Sequence, residues 1–303
     1  MFNKFYGFSE KPFEVNHDPK FLYLTPSHQK ALDSMIDGIK NRRGFISITG
    51  EVGTGKTTLI YSLLENLDKN VMTVYIVHST VTFKELLKTV LLELSLGILE
   101  ESEPAFLFRL AKHLTRLVSD ETIAIIIDEA QNLAEDVIRR LQTFSDLESK
   151  MIQVLLVGQP ELEDTLNSQG LGPFKQRMIV KRQIRALTGE ESLDYIDHRL
   201  KLVGSSSSQM FTPKAISMIC SYAQGIPRLI NILCDNAFLK GYRLSRKKID
   251  GDIIAEVTKG INGPNLGGKA FLSSLTTGLT KIRPSLIRPQ NPQYGVYRTN
   301  WHS

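Results

Sequence analysis

The run Gly50-Glu51-Val52-Gly53-Thr54-Gly55-Lys56-Thr57 decides how this chain is read. Apolar Phe45-Ile46-Ser47-Ile48 precedes it, and Thr58-Leu59-Ile60-Tyr61-Ser62-Leu63-Leu64 follows. A buried strand, a glycine-rich turn and a helix in that order make a phosphate-binding loop. The glycines let successive backbone N–H groups curl around anionic oxygens, and the helix N-terminus adds partial positive charge at the same place. Lys56 is expected to reach the β- and γ-phosphates, and the Thr57 hydroxyl to ligate Mg2+. Residues Gly50 through Thr58 are thus expected to hold a nucleoside triphosphate.

Outward from the loop, strand and helix patterns alternate. Strands are predicted at 44–49, 71–77, 121–128, 152–157 and 178–184, and helices at 27–41, from the loop to about 67, and at 82–96, 104–119 and 135–146. Thr25-Pro26 reads as an N-cap followed by proline at the first helical position. The strand segments are almost wholly apolar, which indicates a parallel sheet covered by helices on both faces, a three-layer α/β sandwich. After Leu187 the pattern becomes helical only, at 189–202, 212–223, 228–244 and 248–259. The segments Gly204-Ser205-Ser206-Ser207-Ser208, Gln224-Gly225-Ile226-Pro227 and Ser245-Arg246-Lys247 separate these helices. The expected organisation is an α/β domain over 1–187, a small all-helical lid over 188–261, and a disordered tail over 262–303, where Gly, Pro, Ser and Thr rise and periodicity vanishes.

A second signal lies in Ile123-Ala124-Ile125-Ile126-Ile127-Asp128-Glu129. An apolar strand that delivers Asp and then Glu at its carboxyl end matches a Walker B element, although such a pair can also merely cap the next helix. Asp128 is expected in the Mg2+ shell, through water, and Glu129 is expected to orient and deprotonate the water that attacks the γ-phosphate. The strand 71–77 between the two elements, together with a glutamate beside the Walker B aspartate, points to hydrolysis with a catalytic glutamate. ATP is the expected substrate, because the Asn-Lys-x-Asp pattern that selects guanine is absent.

Composition narrows the class further. The 303 residues are 42% hydrophobic and 23% charged, ordinary for a water-soluble globular fold of one or two domains. No stretch approaches the ~20 apolar residues that span a bilayer, and the opening Met1-Phe2-Asn3-Lys4-Phe5-Tyr6 does not read as a signal peptide. Cys220 and Cys234 make neither a disulfide framework nor a zinc set, so a reduced, cytoplasmic chain is expected. The net charge of +5 equals the tail's contribution from Lys269, Lys281, Arg283, Arg288 and Arg298, which leaves a balanced body. A neutral body argues against a groove that tracks nucleic acid. The tail is suited to contact anionic lipid at a membrane surface or nucleic acid.

Several short motifs resemble one family. They are Phe5-Tyr6-Gly7-Phe8, Lys11-Pro12-Phe13, Asp18-Pro19-Lys20-Phe21-Leu22-Tyr23, Gly44-Phe45 before the phosphate loop, Asp128-Glu129-Ala130-Gln131 and Gly158-Gln159-Pro160-Glu161-Leu162. Gln176-Arg177, Tyr195-Ile196-Asp197-His198-Arg199-Leu200 and Gly225-Ile226-Pro227-Arg228-Leu229-Ile230-Asn231 extend the pattern. Together, over about residues 2–260, they resemble the ExeA family, the AAA+ ATPases of general secretion pathway protein A and its pilus-assembly and exopolysaccharide relatives. The resemblance implies an AAA+ P-loop fold and a role for Gln159 as the first sensor, contacting the γ-phosphate or attacking water. It implies that Arg228 is the second sensor, closing the lid on the nucleotide, and that Arg177 is an arginine finger supplied to a neighbouring subunit. Arg182, Arg185 and Arg199 lie close enough in sequence to contest that last role. The aromatic opening is expected either beside the base or in the core. The long secretion proteins of the family continue into a membrane helix and a peptidoglycan-binding module. Neither is visible here, so a short form acting from the cytoplasmic side is expected.

The leading expectation is a Mg2+-dependent, homo-oligomeric ATPase that drives or licenses assembly of a bacterial envelope system (secretion, pilus or exopolysaccharide export). Its expected partners are membrane-associated assembly proteins, at the inner face of the inner membrane. The alternative is a DNA-associated AAA+ helper of the transposition or replication type. A third reading, a nucleotide-binding scaffold without turnover, fits poorly with Lys56, Asp128 and Glu129 all present.

Overall fold

Five strands form one parallel sheet: β1 (Phe45–Gly50), β2 (Val71–Ile76), β3 (Thr122–Ile127), β4 (Ile152–Gly158) and β5 (Met178–Ile184), in the order β2-β3-β4-β1-β5. These strands and the rest of the chain were traced in a computed structural model, which describes residues 2–16, 18–77, 80–98, 102–147 and 150–261. The three central strands, β3, β4 and β1, are buried at every position, whereas the edge strands β2 and β5 are buried only in part. Burial without alternation means that both faces of the sheet are covered, which is the condition that lets a parallel sheet read as Ile-Ala-Ile-Ile-Ile. The core around it joins Val74, Ile125, Val154 and Leu156 to Phe83, Leu87, Phe106, Phe144 and Phe174.

Local chemistry explains most helix boundaries. Helix Pro26–Lys40 starts on its proline directly after Thr25. Helix Phe83–Glu93 begins in a capping box, with Thr82 accepting from the Glu85 N–H and the Glu85 carboxylate accepting from the Thr82 N–H. Helix Glu103–Leu114 is capped by Ser102. The single helix predicted over 135–146 is two, Glu135–Arg140 and Gln142–Asp146, joined at Leu141. Two further short helices, Glu161–Leu166 and Gly172–Arg177, lie between β4 and β5, where no element is predicted.

Residues 2–25, 52–58 and 185–261 cluster as one compact unit, and 26–51 with 59–184 as the other. In the helical unit, Gly189–Lys201, Pro213–Ala223, Pro227–Arg243 and Gly251–Ile261 surround a second core. The first two follow Thr188 and Thr212, whose side chains accept from the N–H groups of Glu191 and Ala215. The aromatic opening belongs to this core: Tyr6, Phe8, Phe13 and Phe21 are all buried, and Phe238 touches Tyr6, Phe8, Phe13 and Phe211 with ring centroids 4.9 to 6.0 Å apart. The Tyr6 hydroxyl donates to the Phe238 carbonyl at 3.1 Å, and its burial pushes its pKa up to about 12. The N-terminal segment, which the sequence analysis grouped with the α/β part, therefore packs with the helices. The tail over 262–303, with its five basic residues, lies outside the described residues.

Candidate nucleotide site

The phosphate loop leaves β1 at Gly50 and becomes helical at Lys56. Gly53 at φ +81° and Gly55 at φ +102° adopt backbone conformations that side chains resist. A Cβ on Gly53 would also lie 2.8 Å from the Arg228 Cβ and 3.0 Å from the Ile226 Cγ2, so glycine is required for space as well. Thr54 and Lys56 are buried, and Thr57 and Thr58 occupy the first turn of helix Lys56–Asn66. Arg228 is the second residue of helix Pro227–Arg243, and its N–H donates to the Gly53 carbonyl at 3.2 Å. That helix is aimed by Gly225 at φ +76°, whose carbonyl accepts from the Leu187 N–H at 2.9 Å. The loop and the proposed second sensor are thus brought together.

The carboxyl ends of β3 and β4 gather the other predicted residues. Asp128 is 2% exposed. One of its oxygens accepts from the Glu129 N–H at 2.9 Å and the other from the Tyr75 hydroxyl at 3.1 Å. Burial first, and then the Asp128 charge, push the Tyr75 pKa far up, so that hydroxyl stays a proton donor to the aspartate. Tyr61 packs edge-on against Tyr75 at 5.9 Å and is raised for the same two reasons. Glu129 holds a left-handed backbone (φ +53°, ψ +37°), uncommon for a non-glycine residue and typical of a backbone that tertiary contacts over-determine. Its Oε2 accepts from the Gln131 side-chain amide at 2.7 Å and from the Gln159 side-chain amide at 3.3 Å. Gln159 follows the last residue of β4, so strand pairing alone carries the expected first sensor to the expected base.

Arg177 stands elsewhere. It ends helix Gly172–Arg177, immediately before Met178, which pairs with Phe45 at the amino end of β1. There it donates to the Ser145 hydroxyl and, at 3.0 Å, to Asp146. The competing arginines are otherwise engaged. Arg199 is 3% exposed, donates to the carbonyls of Pro12 and Glu14, and lies 4.4 Å from the Phe21 ring centre, which makes it a clamp on the N-terminal segment. Arg185 forks onto Glu191 at 2.6 and 2.8 Å and, by that bond first, holds its carboxyl down to about 2. Arg182 donates to the Ser34 hydroxyl at 2.9 Å. Sequence reasoning gave no role to Tyr75 or Gln131. Gln131 was visible only as the fourth residue of a motif, and Tyr75 only as one aromatic position in a β-branched strand.

A family model described as an AAA domain matches residues 39–166. General secretion pathway protein A of Aeromonas hydrophila is 35% identical over 259 residues, 84% of this chain and 47% of that protein. A Methanocaldococcus jannaschii protein named as an uncharacterized HTH-type transcriptional regulator is 30% identical over 168 residues, 54% of this chain and 40% of that one. The chain therefore spans about half or less of the curated relatives it matches. Among solved structures, Cdc6p from Pyrobaculum aerophilum superposes with a TM-score of 0.67 at 20% identity, over 82% of this chain and 70% of that one, a likeness of fold. Among the described residues no helix is long and apolar enough to cross a membrane. With its parallel five-stranded sheet and phosphate loop the chain has an AAA+ P-loop fold, of a family that binds nucleotide, and it is similar to the ExeA-like ATPase represented by general secretion pathway protein A.

Proposed function

We propose that this chain hydrolyses ATP to ADP and phosphate, and that Glu129 is the general base. Backbone N–H groups of Gly50 to Thr58, with Lys56, would cradle the phosphates. The Thr57 hydroxyl and the Asp128 carboxylate are hard oxygen donors that fit Mg2+, and the two hydrogen bonds already accepted by Asp128 suit a contact made through water. A bound Mg2+ would supply charge neutralisation at the β- and γ-oxygens. Gln159 would fix the attacking water beside the Glu129 carboxylate, which takes its proton. Arg228 would sense the phosphates from its helix, and Arg177 would act on a neighbouring copy, which makes the working form a homo-oligomer.

The observation that carries this reading is the carboxylate of Glu129, at the carboxyl end of β3, gripped by the amides of Gln131 and Gln159. Replacing Glu129 by Gln should leave ATP binding intact and reduce turnover by ~10²–10⁴-fold, the usual worth of a general base. Turnover within threefold of the parent protein would remove Glu129 from that role.

The cellular role we propose is ATP-driven assembly of an envelope system, by proteins at the inner membrane face. Kinship with a protein named for the general secretion pathway supports it. Secretion, pilus or polysaccharide genes beside this one would support that assignment, and transposase genes would overturn it. The relative named as an HTH-type regulator keeps a DNA-associated helper as the second reading. That reading requires duplex binding that falls steeply and linearly with log salt.

A further inference from the structure

Gln131 occupies a position that no motif role explains. It sits in the 3-10 turn Ala130–Asn132, which is pinned from below by buried Ala130 and Leu133. Its side-chain amide has one partner on each strand end. Nε2 donates to the Glu129 Oε2 at 2.7 Å, and Oε1 accepts from the backbone N–H of Gln159 at 3.0 Å. The orientation of the amide is therefore settled by its surroundings, because only an acceptor can face the Gln159 N–H and only a donor can face the carboxylate. Gly158 gives this bridge its room. A Cβ there would lie 2.7 Å from the Gln131 Oε1 and 3.2 Å from the Gln131 backbone nitrogen, although Gly158 has no unusual φ that would call for glycine.

Resting on the reading of Glu129 as general base, we infer that Gln131 is a positioning residue that fixes the Glu129 carboxylate and ties its orientation to the turn carrying Gln159. Oε2 of Glu129 accepts from both amides, so the base, the bridge and Gln159 form a closed triangle of side chains. A displacement of the Gln159 turn on contact with phosphate would pass through the Gln131 Oε1 and swing its Nε2, and with it the carboxylate. Glu129 needs such a hold because its own backbone sits in the left-handed region, where few side-chain contacts are set by helix or strand geometry.

The test uses the full chain and three variants beside Glu129→Gln. Gln131→Glu keeps the shape and the acceptor for Gln159 but faces the base with an anion. It should lower kcat by ~10²-fold, the scale of an ångström of misplacement, with the Kd for a fluorescent ATP analogue and the KM unchanged. Gln131→Ala should do the same. Gly158→Ala, which touches no reacting group, should lower kcat by displacing the Gln131 Oε1. Combined with Gln131→Ala, Gly158→Ala should cost much less than it does alone, because the 2.7 Å contact with Oε1 is gone and only those with the Leu162 Cδ2 at 3.0 Å and the Gln131 nitrogen at 3.2 Å remain. Losses that multiply independently would overturn the inference, as would Gln131→Glu with kcat within twofold of the parent. A thermal unfolding scan on each variant separates positioning from collapse, and Gly158→Ala keeps the question open to refutation if a Gln131 variant does not fold. If Glu129→Gln itself retains turnover, the parent reading fails. If Glu129→Gln is inactive and the Gln131 variants are normal, only the positioning role fails.

Discussion

Replacing Tyr75 by Phe removes one hydroxyl from beneath the Walker B aspartate and leaves the ring in place. That hydroxyl donates to a carboxylate that is 2% exposed, across 3.1 Å. Hydrogen bonds to charged groups are worth about 1.5–3 kcal/mol, and burial places this one in the upper part of that range. At pH 8 the variant should therefore unfold in urea with a free energy lower by about 2–3 kcal/mol, and its midpoint temperature should fall by about 2–4 °C per kcal/mol for a unit of this size. The pH dependence gives a second, independent reading. Burial and then the Asp128 charge raise the Tyr75 pKa above the value of about 10 that it has in an unfolded chain. A raised folded value means the stabilisation is complete below pH ~10 and drains as pH climbs beyond it, because the unfolded tyrosine ionises and the folded one resists. The gap between parent and Tyr75→Phe should stay constant between pH 7 and 9 and close above ~10. A gap under ~0.5 kcal/mol at pH 8, the ordinary scatter of surface changes, would refute the bond's role. A gap that holds steady to high pH would refute the raised pKa.

Two other outcomes follow from single positions. Gly225→Ala places a methyl 2.0 Å from the Leu187 carbonyl oxygen on a backbone at φ +76°, so it should destabilise the helical unit by about 2–5 kcal/mol in thermal unfolding, from left-handed strain plus the disturbed Leu187–Gly225 bond; a loss below 1 kcal/mol would show that this turn yields freely. Mixing parent subunits with Arg177→Ala subunits should reduce ATPase activity out of proportion to the fraction added, as expected of a residue that serves a neighbour and of a finger worth ~10³–10⁵ in rate, whereas strict proportionality would make Arg177 a structural arginine.

Much of this architecture is written locally. Gly50 to Thr58 announce the loop because glycine spacing and the helix start are dictated within eight or nine residues, and Ile123–Glu129 announce a buried strand end by the same local logic. The capping threonines at 82, 188 and 212 work in the same way. What stayed hidden depends on partners far away in the chain. The ring of Tyr6 meets Phe238 across a separation of 232 residues, so the irregularly spaced aromatics of the opening carry no periodicity that would name their partner. Arg199 reads as one more helix-surface arginine until the carbonyls of Pro12 and Glu14 arrive to receive it. Gln131 and Tyr75 are of the same kind, because their value lies in the pairing of β2, β3 and β4 and not in their own neighbourhoods.

Sheet register also bears on which arginine can serve which site. In the parallel pair of β1 and β5, Phe45 lies opposite Met178 and Gly50 opposite Ile184. Arg177 therefore stands at the amino edge, while β1 hands over to the phosphate loop at the carboxyl edge, about 16 Å away at ~3.3 Å per residue. Rotating the side chain does not cross that length of strand, so Arg177 either serves a second copy or serves only Ser145 and Asp146. Its bonds to those two residues are exposed, which makes them cheap to exchange for a stronger anionic partner. Arg199 fails the same criterion for the opposite reason, because withdrawing it would empty a buried aromatic cage. Position in the sheet and the low cost of release thus support the proposal that Arg177 acts between subunits, to be decided by the mixing experiment against Arg182 and Arg185, whose bonds are exposed as well.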